Sequence, residues 1–459
     1  MKLATFSKFI LPVFVILSLF CSPKTGTKQV HFSGNGTAFT NVNVITMLSD
    51  SVLQNRTVVV KDDRIVSISE GEAVTFSEEF VIVNGSDKYL LPGLAEMHGH
   101  IPPTTPPANA PRYMTPEYVQ HTLFLYSAAG ITTVRGMLGW PGQLELKEQI
   151  KNGEFFGPNL YLAGPSFSGS TIHSVREAVE KVKTQKAEGW DLLKIHPGLT
   201  LEEYDAIANT SKELDIPFGG HVPADVGLLH AIEMGQISMD HLDGYTDFLN
   251  AFEGEEREQK LAEIVQITRD NNVWIVPTMA LWETLLGVSD FEELSKYPEL
   301  QYLPKNLVSS YHSWFVNNTQ NNKSYNYSQA KEQADTRIEI LSEMNKAGVN
   351  IILGTDAPQL FSVPGFSIHH EFEVMKRAGM SPYDILKTGT SNVGKYFADT
   401  DFFGVLAVDA RADLVLVENN PLDDIAHLKE VAGVMVSGNW LSKQQIDVQL
   451  DKIATLYQN

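Results

Sequence analysis

Eight short β-type runs, each followed by a helical stretch, dominate residues 91–401. They lie at 95–98, 132–134, 159–162, 192–195, 217–219, 236–239, 273–276 and 349–353. Several follow pairs that end helices: Ala129-Gly130, Glu188-Gly189, Met234-Gly235 and Ala347-Gly348. Strands that alternate with helices must run parallel, because a hairpin turn cannot join parallel neighbours. Eight β/α units in this span predict an α/β protein built on a (β/α)8 TIM barrel.

Different patterning flanks this region. β-branched runs at 42–47, 57–60, 64–68 and 80–83 are separated by turn residues such as Lys61-Asp62-Asp63. Similar runs return at 404–408, 413–417 and 431–436. Residues 39–90 and 402–442 therefore predict a small β-sandwich domain assembled from both chain ends. Residues 443–459 carry apolar residues at helical spacing and predict a C-terminal helix. An insertion at 281–329, rich in Trp and Tyr, interrupts the rhythm after the seventh strand. It reads either as a cover over one end of the barrel or as a peripheral helical decoration.

Residues 1–21 have a basic start and a short apolar run, which reads as a secretory signal, and 22–38 reads as a linker. The protein is thus expected to be exported, to the periplasm or cell envelope. The single cysteine, Cys21, ends the apolar run. A cysteine there resembles the lipidated cysteine of bacterial lipoproteins and suggests membrane anchoring. Phe20, bulkier than the small residue usual before it, keeps a cleaved soluble form as the alternative. No intramolecular disulfide can form, so a core or a metal must hold the fold. The net charge of -21 argues against nucleic acid as a partner. Self-association into a homo-oligomer stays open.

Ligand-type side chains gather at the predicted strand ends. His98 and His100 end the first strand, Lys194 the fourth, His221 the fifth, His241 the sixth and Asp356 the eighth. In an extended strand, residues two apart share a face, so His98 and His100 can grip one ion. One such pair is a weak signal. Six suitable residues at ends that converge on one barrel face are a strong one. No phosphate loop or Ser/His/Asp nucleophile arrangement competes with it.

These residues carry a resemblance to the amidohydrolase superfamily, in its prolidase and imidazolonepropionase-like branch. The matching stretches are Leu91-Pro-Gly-Leu-Ala-Glu-Met-His-Gly-His100, Gly130-Ile-Thr-Thr-Val-Arg135, Lys194-Ile-His196, Gly220-His-Val-Pro223, Met239-Asp-His-Leu-Asp-Gly-Tyr245 and Gly354-Thr-Asp-Ala-Pro358. Ala412-Asp-Leu414 and Asn420-Pro-Leu422 add to them. Glu96 stands where an aspartate usually precedes the histidine pair, and Gly136 where aspartate often follows Val-Arg. The resemblance implies two divalent metal ions. His98, His100 and Asp356 would hold one, and His221 and His241 the other, with Lys194 carboxylated and bridging. Such ligands suit Zn²⁺, and iron, cobalt or manganese also fit. An unmodified Lys194 with a single metal is the alternative.

The chemistry that follows is a metal-dependent hydrolase acting on carbon–nitrogen bonds. Metal-activated hydroxide attacks a carbonyl, and Asp356 shuttles the proton to the leaving nitrogen. The expected substrate is a small molecule or dipeptide, either Xaa-Pro-like or an N-acyl amino acid. A cyclic amide, lactone or exocyclic amine is the second reading, and a non-catalytic metal-binding surface protein the third. Tyr245, His196 and Arg135 are candidate substrate-binding residues, each with a structural role as the alternative. His369 and His370 fall on a predicted helix and read as structural.

Overall fold

The computed structural model describes residues 30–70, 74–104 and 110–458. The predicted signal segment, Cys21 and the first part of the linker lie outside the described residues. The eight parallel strands are Leu94–Gly99, Ile131–Gly136, Asn159–Leu162, Leu193–Ile195, Phe218–Gly220, Ser238–Asp240, Trp274–Val276 and Asn350–Ile351. The first three make one parallel sheet and the other five a second, in chain order. Every residue of Leu94–Gly99 and Ile131–Gly136 is buried, as expected of parallel strands covered on both faces.

Two sets of contacts connect these sheets. Parallel bridges Ala163↔Leu192 and Phe167↔Ile195 join the end of the third strand to the fourth. On the other side, the Met97 N–H donates to the Leu353 carbonyl, Asp356 N–H to that of His98, and His100 N–H to that of Ala357. The first strand therefore lies beside the chain that follows the eighth. These backbone bonds make residues 98, 100 and 356 neighbours.

That packing leaves no room at Gly354. A β-carbon there would collide with the Val276 side chain and sit 3.0 Å from the backbone nitrogen of His98. Gly354→Ala is expected to destabilise the metal-free protein by about 1–3 kcal/mol, because overfilling a packed core forces backbone movement. Urea unfolding measures this, and an unchanged midpoint would mean that the neighbouring strands yield.

A mixed eight-stranded sheet draws on both ends of the chain. Its order is Asn439–Ser442, Val431–Val436, Leu414–Val417, Tyr89–Pro92, Gly36–Ile45, Val52–Lys61 and Arg64–Glu70, with Phe80–Asn84 paired to Gly36–Ile45. Tyr89–Pro92 pairs with Leu414–Val417 and hands over at Gly93 to the first parallel strand. A separate two-stranded sheet pairs Val30–Phe32 with Val74–Phe76. Two expectations change here. Strand structure begins inside the predicted linker 22–38. Residues 404–408 form no strand: their backbone bonds are scattered, with the Leu406 N–H on the Thr46 carbonyl and the Ala407 carbonyl accepting from the Ala410 N–H. The terminal helix spans Lys443–Gln458.

The insertion is helical, with Met279–Leu286, Phe291–Leu294, Pro298–Tyr302 and Lys305–Asn318. Its buried Leu294, Leu300, Leu303, Tyr311 and Phe315 cluster with Phe361, Val363 and Ile453. It is thus bound both to the segment after Asp356 and to the terminal helix.

Candidate metal centre

Strand alternation sends Glu96 and His98 to one side of the first strand. The Glu96 carboxylate accepts the His98 N–H at 2.9 Å, the Thr355 N–H at 2.8 Å and the Thr355 hydroxyl at 2.5 Å. Burial pushes this carboxyl up to about 7 against the pull of those donors. The longer glutamate, where an aspartate was usual, fastens the first strand to the loop that carries Asp356.

The six strand-end residues come together. His100 Nε2 lies 2.6 Å from Asp356 Oδ1, and His98 Nε2 lies 3.7 Å from the same oxygen. Ligand atoms of His98, His100 and Asp356 all fall within 4.8 Å of one another. Lys194 Nζ is 3.3 Å from His98 Nε2. His241 Nε2 is 3.8 Å from Asp356 Oδ2, and the His241 ring is 4.4 Å from that of His221 and 4.5 Å from that of His98.

The surroundings suit a cation. Burial, with Lys194 and neighbouring histidines, holds His98 and His241 well below the usual imidazole range. That environment favours the neutral imidazole, the form that ligates a metal. Outer partners hold two of the rings: His221 Nδ1 is 2.8 Å from Asp243 Oδ2, and His241 Nδ1 is 2.7 Å from Thr278 Oγ1. His98 Nδ1 lies 2.7 Å from Asp240 Oδ2, at ion-pair distance but without hydrogen-bond alignment. Such carboxylate and hydroxyl partners orient metal-binding imidazoles. Lys194 is fully buried, and burial lowers its pKa although Asp240 and Asp356 pull it up. Two imidazoles and a carboxylate close together, beside a buried amine and two further imidazoles, fit one or two divalent ions.

Backbone conformation at the site is unusual. His241, Leu242, Thr278 and Asp356 all have positive φ, at 69°, 61°, 48° and 61°. Non-glycine residues visit this region rarely, and strain of this kind gathers at functional sites.

Two candidate substrate residues, Tyr245 and Arg135, take the structural role that was their alternative. Tyr245 is fully buried, and its hydroxyl bonds Thr268 Oγ1 at 2.9 Å, in the core behind the sixth strand. Arg135 is also fully buried. It donates to the Met97 carbonyl, Ser238 Oγ, the Tyr396 hydroxyl and Asp240 Oδ1, as an internal ion-pair partner. His196 is half-buried and stacks on His221, with ring centres 5.0 Å apart. Burial and nearby charges, Lys194 first, depress it to about 2. His370 stacks on Tyr297 and pairs with Glu299, in keeping with a structural role. Tyr245→Phe is expected to leave kcat/KM within about twofold of wild type while costing about 1 kcal/mol of stability. A tenfold loss of activity in a kinetic assay would return Tyr245 to the site.

Motif spacing missed Asp240, Asp243, Thr278 and Arg337. Asp240 and His241 are adjacent, and strand alternation sends neighbours to opposite faces. The positive φ of His241 breaks that alternation, so both side chains reach the same cluster.

The sequence pattern of the amidohydrolase family matches residues 89–441. No curated protein matches the sequence. Among solved structures, a Xaa-Pro dipeptidase with methionine bound in its active site is 21% identical, with a TM-score of 0.67, covering 89% of this chain and 100% of its own. Bottromycin amidohydrolase is 19% identical, with a TM-score of 0.72, covering 92% and 90%. The ochratoxinase of A. niger is 18% identical, with a TM-score of 0.63, covering 90% and 96%. At these identities the likeness speaks to the fold, a TIM-barrel-like α/β arrangement.

Proposed function

Since the chain belongs to the amidohydrolase family, whose members hydrolyse carbon–nitrogen bonds, we propose that it cleaves an amide or peptide bond in an Xaa-Pro-like dipeptide or an N-acyl amino acid. The observation that carries this reading is the convergence of His98, His100, Lys194, His221, His241 and Asp356 at the ends of parallel strands. His98, His100 and Asp356 would hold one divalent ion, His221 and His241 a second, with Lys194 carboxylated between them; Zn²⁺ suits the set. Such ions supply Lewis acidity and an activated water at neutral pH. Asp356, with one oxygen beside His100 and the other toward His241, takes up a proton and returns it to the leaving nitrogen. His196 lines the substrate side next to His221.

The same reading takes the parallel strands as one closed barrel, supported by the bridges and backbone bonds described above. The sheet from both chain ends is taken as a separate small domain. Export through residues 1–21, with anchoring at Cys21, completes the proposal.

The test is a substrate screen on metal-loaded protein with Xaa-Pro, Xaa-Arg and N-acyl amino acid panels. Amide cleavage with bound transition metal is expected. Protein that binds no such metal in zinc-supplemented medium, or that cleaves only lactones, would overturn the reading.

A further inference from the structure

Arg337 lies midway along the helix Tyr327–Ala347 and is 5% exposed. Its guanidinium sits over the Trp282 ring, 4.0 Å from the centroid, and Nη1 donates to the His241 carbonyl. Nε has no acceptor, and the guanidinium makes no ion pair among the described residues. Burial brings Arg337 down to about 10, although Asp243 and Asp247 pull it up. A buried cation without a direct counter-charge is costly, and an apolar side chain would serve this helix position better for packing alone.

The chain that Arg337 holds is the strained one. His241 and Leu242 are consecutive left-handed residues between the strand Ser238–Asp240 and the helix Asp243–Leu249. This turn brings the His241 imidazole to the cluster while its carbonyl meets Arg337. It also delivers Asp243, whose Oδ2 fixes His221 Nδ1 and whose Oδ1 is without a partner. Arg337 thus acts on His241 through a hydrogen bond to its carbonyl, and on His221 through the turn that delivers Asp243.

We infer that Arg337 is a positioning residue for the His221 and His241 half of the metal centre, holding the turn that presents both imidazoles. This rests on the two-ion reading above. Without Arg337 the turn relaxes toward ordinary φ values, and the half built on it loosens. The half formed by His98, His100 and Asp356 depends on Glu96 and the first strand, and is left in place.

The experiment compares wild type, Arg337→Met and Arg337→Gln, loaded with Co²⁺ or Zn²⁺, by elemental analysis and chelator-driven release. Wild type is expected to hold two ions. Arg337→Met is expected to release one of them at least ~10-fold faster and the other at the wild-type rate, as outer-partner losses do. Arg337→Gln keeps a donor but not the charge and should fall between; if Arg337→Met does not fold, this variant decides. Wild-type release of both ions overturns the inference, and so does equal acceleration of both, which would mark a general loosening of the fold. If wild type binds a single ion, the two-ion reading fails. The Co²⁺ absorption spectrum then decides: a changed spectrum in Arg337→Met supports the positioning role, and an unchanged one overturns it.

Discussion

Asp356→Asn is expected to lower kcat/KM by about 10³-fold, or about 4 kcal/mol of transition-state stabilisation, with the fold intact. The backbone at Asp356 is held without its carboxylate. Its N–H bonds the His98 carbonyl, its carbonyl accepts from Gln359 Nε2, and Thr355 beside it is pinned by Glu96. Asparagine is nearly the same size and keeps one oxygen to face His100. It loses the second oxygen, toward His241, and cannot take up a proton at neutral pH. A fall in kcat without a matching loss of thermal stability or of all bound metal is the expected signature. Activity within threefold of wild type would remove Asp356 from the proton chemistry.

The site was legible where it obeys strand periodicity. His98 and His100, and Lys194 and His196, are pairs two apart on extended chain, and each pair meets the cluster as alternation predicts. The helix-ending glycines were equally plain, because Gly130, Gly189, Gly235 and Gly348 adopt the positive φ that residues with side chains avoid.

Where the chain leaves extended periodicity, the sequence pattern no longer indicates which way a side chain faces. Tyr245 sits four residues after His241, which would share its face on a continuing strand. The left-handed turn at His241 and Leu242 instead starts a helix at Asp243, and that helix points Tyr245 into the core. Asp240 shows the converse: next to His241, it would face away from it on a regular strand, and the positive φ of His241 brings both to the cluster. Residues 404–408 have strand composition, but their backbone bonds go singly to Thr46 and other neighbours instead of a ladder. Arg337 has no motif at all. It is one charged residue in an amphipathic helix, and only its contacts with Trp282 and the His241 carbonyl set it apart.

On the two-ion proposal, Lys194→Ala should abolish activity and reduce the bound metal to one ion or none. As an ammonium, Lys194 offers three donors and no acceptor, so it repels a cation. Yet it is buried beside His98 Nε2, with Asp240 Oδ2 at 3.7 Å. Burial favours its neutral form. A neutral amine can add carbon dioxide and release a proton, which converts a donor into a carboxylate with two ligand oxygens. Alanine removes that ligand but also leaves a hole in a packed region, so lost activity alone would be ambiguous. Lys194→Met fills most of the volume and is expected to lose metal and activity equally, by about 10³-fold in kcat. Protein grown with ¹³C-bicarbonate should show a carbamate carbon resonance that is absent from Lys194→Met. Two ions and full activity in the methionine variant would sink the bridging role. A wild type that has two ions and activity but no carbamate signal would leave Lys194 as an unmodified neighbour of His98.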